Sequence, residues 1–298
     1  YYDKTLTWEQ YFLKIALETW HNYESMASLA EQEGYTLGEE WQQSLDNLPA
    51  DLEERAEEGK YESVDALLAD VIGPGCTLDA YLAYVKTTYI SNDYYNTQYE
   101  KLKPTDEEAK AYFDEHTEQF TQSGITVDSG LISSVRHILV SPEGGKTDEE
   151  TGAVTYSEKE WKACLAKAEK IVEKWKSGAA TEESFIALVP NYTEDSNSVP
   201  SGGLYEGIYK GSGMVEPFET WSIAADRKPG DVGIVKADEN HYKGYHIIYF
   251  VSGEPHWLNT ARSALLSERT TEIIDTAKEQ WPMKVNYGKI ALVDLELV

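Results

Sequence analysis

Two short apolar strands, each with one histidine inside it, constrain this chain more than any other feature. Val135-Arg136-His137-Ile138-Leu139-Val140 opens a segment that Gly244-Tyr245-His246-Ile247-Ile248-Tyr249-Phe250 closes. Apolar runs of this length, rich in β-branched and aromatic residues and bounded by turn residues, read as strands. Between them lie Thr193-Glu194-Asp195-Ser196, the turn Gly202-Gly203 and the run Gly213-Met214-Val215-Glu216-Pro217-Phe218. Two strand histidines, one loop acid and a Met/Phe pair can build a pocket that is apolar at one end and hydrogen-bonded at the other. Such a pocket suits a proline ring. The plain alternative for each residue is structural: a lone strand histidine is usually a satisfied core residue, and an acid in a polar loop is usually an Asx-turn residue.

The rest of the chain has a different period. Thr7 with Gln10 forms a capping box ahead of Phe12, Ile15, Ala16, Trp20, Tyr23, Met26 and Ala30 at helical spacing, and Gly34 ends that helix. Short helices are expected over 37–45 and 49–58, with Pro49 opening the second. Further helices start at the caps Ser63 and Thr77 and at the Thr105/Glu108 box. A break at 121–128 precedes the first histidine strand. Residues 142–156 read as an acidic loop or hairpin. Ser157 and Glu160 box a helix ending at Gly178, and 181–189 is a second one. Strands are expected at 230–236 and 245–251, giving βααβ order and a small α+β unit with an antiparallel sheet. After Pro255 the helical period returns at Leu258, Ala261, Leu265, Ile273 and Ala277, and 285–298 alternates as a strand would. The expected organisation is a helical part over 1–125, an α+β domain over 131–254, and a helix and strand over 255–298 packing back on the helical part.

Composition removes several function classes. Against 53 acidic side chains stand 26 basic ones, a net charge of −27. Nucleic-acid affinity comes from Lys and Arg neutralising phosphates, so nucleic acid is not an expected partner. Anionic lipid is disfavoured for the same reason. Cys76 and Cys164 lack CxxC spacing and a nearby histidine cluster, so no metal is expected. No Gly-x-Ser-x-Gly elbow supports Ser-His-Asp hydrolysis. No apolar run reaches the roughly 20 residues that span a bilayer. The chain opens on Tyr1 rather than Met, which leads to the expectation of a leader or anchor removed upstream.

The ordered pieces from about 133 to 254 resemble a parvulin-type peptidyl-prolyl isomerase domain. The pieces are Arg136-His137-Ile138-Leu139-Val140, Asp195 in its loop, Gly202-Gly203, Met214-Val215-Glu216-Pro217-Phe218-Glu219, Lys228-Pro229-Gly230-Asp231 and Gly244-Tyr245-His246-Ile247-Ile248. The flanking helices resemble, less specifically, the chaperone arms of extracytoplasmic foldases such as PrsA and SurA. The resemblance implies that His137, Asp195 and His246 form the catalytic group and that Met214, Phe218 and Leu204 line the proline pocket. The stretch after Gly203 runs one residue longer than the family's before Met214. It further implies unfolded or partly folded proline-containing polypeptides as partners, no cofactor, an extracytoplasmic location with any membrane link through an anchor outside this chain, and room for a homodimer. The second reading is a non-catalytic holdase whose isomerase domain is degenerate. Family members that select phosphorylated sites carry a basic cluster after the first strand. Here Glu143, Asp148, Glu149 and Glu150 face a lone Lys146, so no phosphate preference is expected.

Overall fold

The computed structural model describes residues 6–238, 242–287 and 290. It is an α+β chain that divides into two compact units, one of residues 1–104 with 264–298 and one of residues 105–263. These divisions fall at 104/105 and 263/264, where the sequence placed domain edges near 125–131 and 254/255. The strand expected over 285–298 falls outside the described residues except at 285–287 and 290, which are not in a strand.

The first unit is built from α1 (Trp8–Gln32), α2 (Glu39–Glu58), α3 (Val64–Val71), α4 (Leu78–Leu102) and the end of α11 (His256–Gln280). The Thr7/Gln10 box is present with both bonds, and Ser63 and Thr77 cap as their side chains predict. One expectation fails: the two helices expected over 37–45 and 49–58 are a single one, Glu39–Glu58, with Pro49 inside it. Proline in a helix interior costs about 3 kcal/mol. Here Trp41, Leu45, Leu48, Leu52 and Ala56 form a single apolar stripe across the proline, with Trp41 packed on Tyr89 at 4.8 Å. Packing along that stripe overrides the local preference. The unit's core is Met26, Ala30, Tyr94 and Ala277, with Leu29, Tyr35, Ile90 and Trp281 against it.

The second unit holds α5 (Asp106–Glu115), α6 (Thr117–Gln122), β1 (Leu131–Val140), the hairpin β2 (Lys146–Thr147) and β3 (Val154–Thr155), α7 (Glu158–Ser177), α8 (Glu182–Ile186), α9 (Val189–Tyr192), β4 (Leu204–Ile208), α10 (Glu216–Ser222), β5 (Val232–Ala237) and β6 (Gly244–Pro255). Its antiparallel sheet runs β4-β1-β6-β5, so the two histidine strands are its centre. Side chains alternate across these strands. Ile138, Val140, Ile247 and Tyr249 meet Cys164, Ala168, Ile171, Trp175, Phe185 and Val189 of α7–α9 on one face. Val135, Ile248 and Phe250 meet Leu131, Ile208 and Phe218 on the other. Burial on both faces explains why β1 and β6 read as nearly continuous apolar runs. β1 is four residues longer at its start than the apolar run, because Leu131–Ser134 pair with Pro255–Ser252. β4 and α10 were not foreseen. Cys164 is buried with its thiol donating to the Val140 carbonyl at 3.0 Å, and both cysteines are free.

Candidate active site

The site lies on the α10 face of the sheet. His137 stands opposite Ile248 and His246 opposite Leu139, so the two imidazoles are diagonal neighbours on adjacent strands. Their rings stack at 16° with centroids 4.8 Å apart. His246 Nδ1 and His137 Nε2 are 2.9 Å apart, and His246 Nε2 is 3.1 Å from the Tyr242 carbonyl oxygen. Both rings are buried, at 5% and 3% exposure. Burial is the main cause that pushes both pKa values down; for His137, the neighbouring His246 adds to it while Asp195 opposes. Both rings are therefore neutral at pH 7.

That fixes the protons. A carbonyl only accepts, so His246 Nε2 carries a hydrogen and its Nδ1 is a lone pair. His137 Nε2 then donates to it, and His137 Nδ1 is left bare. Among the described residues that atom has no hydrogen-bond partner, and it faces Asp195 Oδ2 at 3.8 Å.

Asp195 is held by its loop. Thr193 Oγ1 accepts from the Leu139 and Asp195 amides, and Glu194 N donates to the Leu139 carbonyl, tying the loop to β1. Tyr205 Oη donates to Asp195 Oδ2 at 2.6 Å. Burial raises the Asp195 pKa, but the Tyr205 hydrogen bond, the neighbouring His137 and the other donors of the loop together outweigh it and leave the carboxyl below its ordinary value. The site thus contains a neutral imidazole pair beside an anion.

The cleft above it has a volume of about 500 Å³ and is lined by His137, Asp195, Tyr205, Gly213, Met214, Val215, Glu216, Phe218, Tyr242 and His246. Phe218 meets His137 edge-on at 5.2 Å and His246 at 5.7 Å. α10 carries Phe218, and Pro217 near its N-terminus, with φ preset for a helix, starts it. The loop before Met214 is pinned by Glu219, whose carboxylate accepts from the Gly211 and Ser212 amides at 3.0 and 3.1 Å. Gly203 lets β4 approach β1: its φ is +73°, and a Cβ there would lie 2.5 Å from the His137 carbonyl oxygen.

Of the residues singled out in the sequence, the structure brings together His137, His246, Asp195, Met214 and Phe218. Leu204 is the correction. It pairs with Arg136, while Tyr205 pairs with Val135, so strand alternation sends Leu204 to the opposite face and Tyr205 into the cleft. Tyr205, Val215, Glu216 and Tyr242 were missed. The signal for Tyr205 was available: an aromatic two residues past the Gly-Gly turn, in step with the site face. Among the described residues, no group of three or more His, Cys, Asp or Glu could hold a metal ion, and no helix is long and apolar enough to cross a membrane.

Residues 123–252, which hold this sheet and its paired histidines, match the PPIC-type PPIASE domain family. The chain therefore carries a PPIC-type peptidyl-prolyl isomerase domain. Over 205 residues it is 29% identical to the foldase protein PrsA of Caldanaerobacter subterraneus subsp. tengcongensis, covering 64% of this chain and 53% of that one. The chain thus spans about half the length of this curated relative. Two solved structures are also similar. The PrsA peptidylprolyl isomerase of Bacillus anthracis is 18% identical, covering 89% of this chain and 98% of its own, with a TM-score of 0.29. The foldase protein PrsA of Streptococcus pneumoniae is 16% identical, covering 94% of this chain and 92% of its own, with a TM-score of 0.34.

Proposed function

We propose that this chain is an extracytoplasmic foldase that interconverts the cis and trans forms of X–Pro bonds in unfolded or partly folded polypeptides, without covalent or cofactor chemistry. The observation that carries the reading is the buried imidazole pair, 2.9 Å apart, beside Asp195 in a cleft that Met214, Val215 and Phe218 also line. Rotation about an X–Pro bond faces a barrier of about 18–20 kcal/mol because the amide is conjugated. Twisting removes the conjugation and breaks no bond. Catalysis then needs only tighter binding of the twisted amide than of either planar form. A gain of about 5 kcal/mol gives several-thousand-fold acceleration.

In this reading Met214 and Phe218 hold the pyrrolidine ring, and the amide carbonyl turns within the cleft. The histidines and Asp195 fix the cleft's shape and field; no proton leaves them. His246→Ala and Asp195→Ala should lower the isomerisation rate of an X–Pro peptide at least tenfold while circular dichroism stays native. Wild-type rates in both would overturn the assignment, and a wild-type chain without exchange activity would leave the holdase reading. Among the described residues, the cleft lining contains Asp195 and Glu216 and no Lys or Arg, and Glu143 of the loop after β1 pairs with Lys167. A Ser–Pro peptide should therefore turn over faster than its phospho-Ser partner. A preference for the phosphorylated peptide in paired exchange assays would refute this.

A further inference from the structure

We propose that Tyr205 is a positioning residue for the isomerase site, whose hydroxyl holds Asp195 ionised and aimed at His137 Nδ1. The inference rests on the prolyl-isomerase reading and adds to it a residue acting through another. Tyr205 reaches the site from β4, across the strand that carries His137, and has one hydroxyl proton to give. It gives that proton to Asp195 Oδ2 at 2.6 Å. Its ring sits edge-on to His137 at 5.7 Å and to Phe218 at 6.1 Å, so the phenol has no other direction to turn in without losing both contacts.

The consequence follows from counting protons. Among the described residues no donor reaches the buried His137 Nδ1, and the Asp195 oxygen lies 3.8 Å from it. Two acceptors facing each other in a buried site invite a proton between them. If Asp195 took it, the carboxyl would become a neutral donor to His137, and the site would lose its anion. The Tyr205 hydroxyl opposes that. A hydrogen bond to the charged form of a carboxyl favours the charged form, and such bonds are stronger than those between neutral groups. Among the described residues, the titratable groups facing Asp195 are His137 of β1, Tyr205 of β4 and His246 of β6; the Ser198 hydroxyl donates to the Asp195 backbone carbonyl at 3.1 Å. Among the groups acting on Asp195, burial and the Tyr205 bond are the two largest and they oppose each other. Removing the phenol takes away the largest of the effects that hold the carboxyl down, so its pKa rises.

The test is Tyr205→Phe in the full chain, which keeps the ring and deletes the donor. Two readouts are taken: the pH profile of kcat/KM for an X–Pro peptide, and the titration of the Asp195 carboxyl carbon by NMR. The acidic limb of the profile and the carboxyl titration should both move up by about one pH unit, about 1.4 kcal/mol. In an Asp195→Asn background Tyr205→Phe should leave the profile unchanged. A carboxyl titration in Tyr205→Phe that superimposes on wild type overturns the proposal, and so does a further rate loss in the Asp195→Asn background. If wild type shows no exchange activity, the functional reading fails. The NMR titration still decides whether Tyr205 governs Asp195.

Discussion

Gly203→Ala tests the claim that the site depends on one close backbone approach. Gly203 and Gly207 bracket most of β4, and both have left-handed φ, +73° and +69°. Forcing an L residue into that region costs about 1–2 kcal/mol. The surroundings differ. A Cβ on Gly207 meets nothing within 4 Å, whereas one on Gly203 meets the His137 carbonyl oxygen at 2.5 Å, the His137 nitrogen at 3.1 Å and Val189 Cγ2 at 3.1 Å. Two of those three atoms are backbone and cannot swing away, and the His137 amide donates to the Gly203 carbonyl at 2.8 Å. Overpacking of this kind adds about 1–3 kcal/mol. Gly207→Ala should thus cost about 1–2 kcal/mol and Gly203→Ala about 2–5 kcal/mol. Hydrogen exchange of the β6 amides reads both values in the intact chain. The backbone that gives way at Gly203 carries His137, so the 2.9 Å bond to His246 opens too. Isomerisation should fall at least tenfold in Gly203→Ala and stay near wild type in Gly207→Ala. Equal losses of stability and equal rates in the two variants would refute the reasoning.

Two other outcomes follow from the same geometry. His137 is pushed down to about 3 and His246 is also lowered, both chiefly by burial, while an unfolded histidine titrates near 6.5. Between those values the unfolded chain binds more protons, so stability falls as pH drops through that window, by up to about 1.4 kcal/mol per pH unit for each ring. The urea midpoint followed from pH 6.5 to 5 should decline less steeply in His137→Phe than in wild type, and parallel slopes would contradict the burial argument. Glu219→Gln weakens the clamp on the Gly211 and Ser212 amides that sets the loop before Met214. Peptide KM should rise roughly fivefold, a loss of about 1 kcal/mol, with kcat within about twofold; an unchanged KM would show that the loop needs no clamp.

Much of this was legible in the residues. Capping boxes at Thr7, Thr105 and Ser157 marked helix starts because their signal is local, one side chain reaching one nearby amide. The histidine strands were legible because burial on both faces makes an unbroken apolar run. β4 escaped notice because Leu204–Ile208 is five residues interrupted by Gly207, and its pairing to β1 is fixed from far away in the chain. α10 escaped because seven residues give too few turns for a period. The resemblance implied Leu204 as a pocket wall, but a one-residue slip in register reverses the face, and no single strand's pattern records its partner. The merged α2 shows the same limit: a proline is local, and the stripe that overrules it is tertiary.

The two imidazoles come from opposite ends of the unit's chain, 109 positions apart, and they meet only because β6 slides in beside β1. A ribosome must finish nearly the whole domain before any catalytic centre exists. Distant pairings of this kind form slowly, because a long loop must close before they gain anything. A protein read as hastening the maturation of others is, in its own synthesis, bound to a late and non-local step.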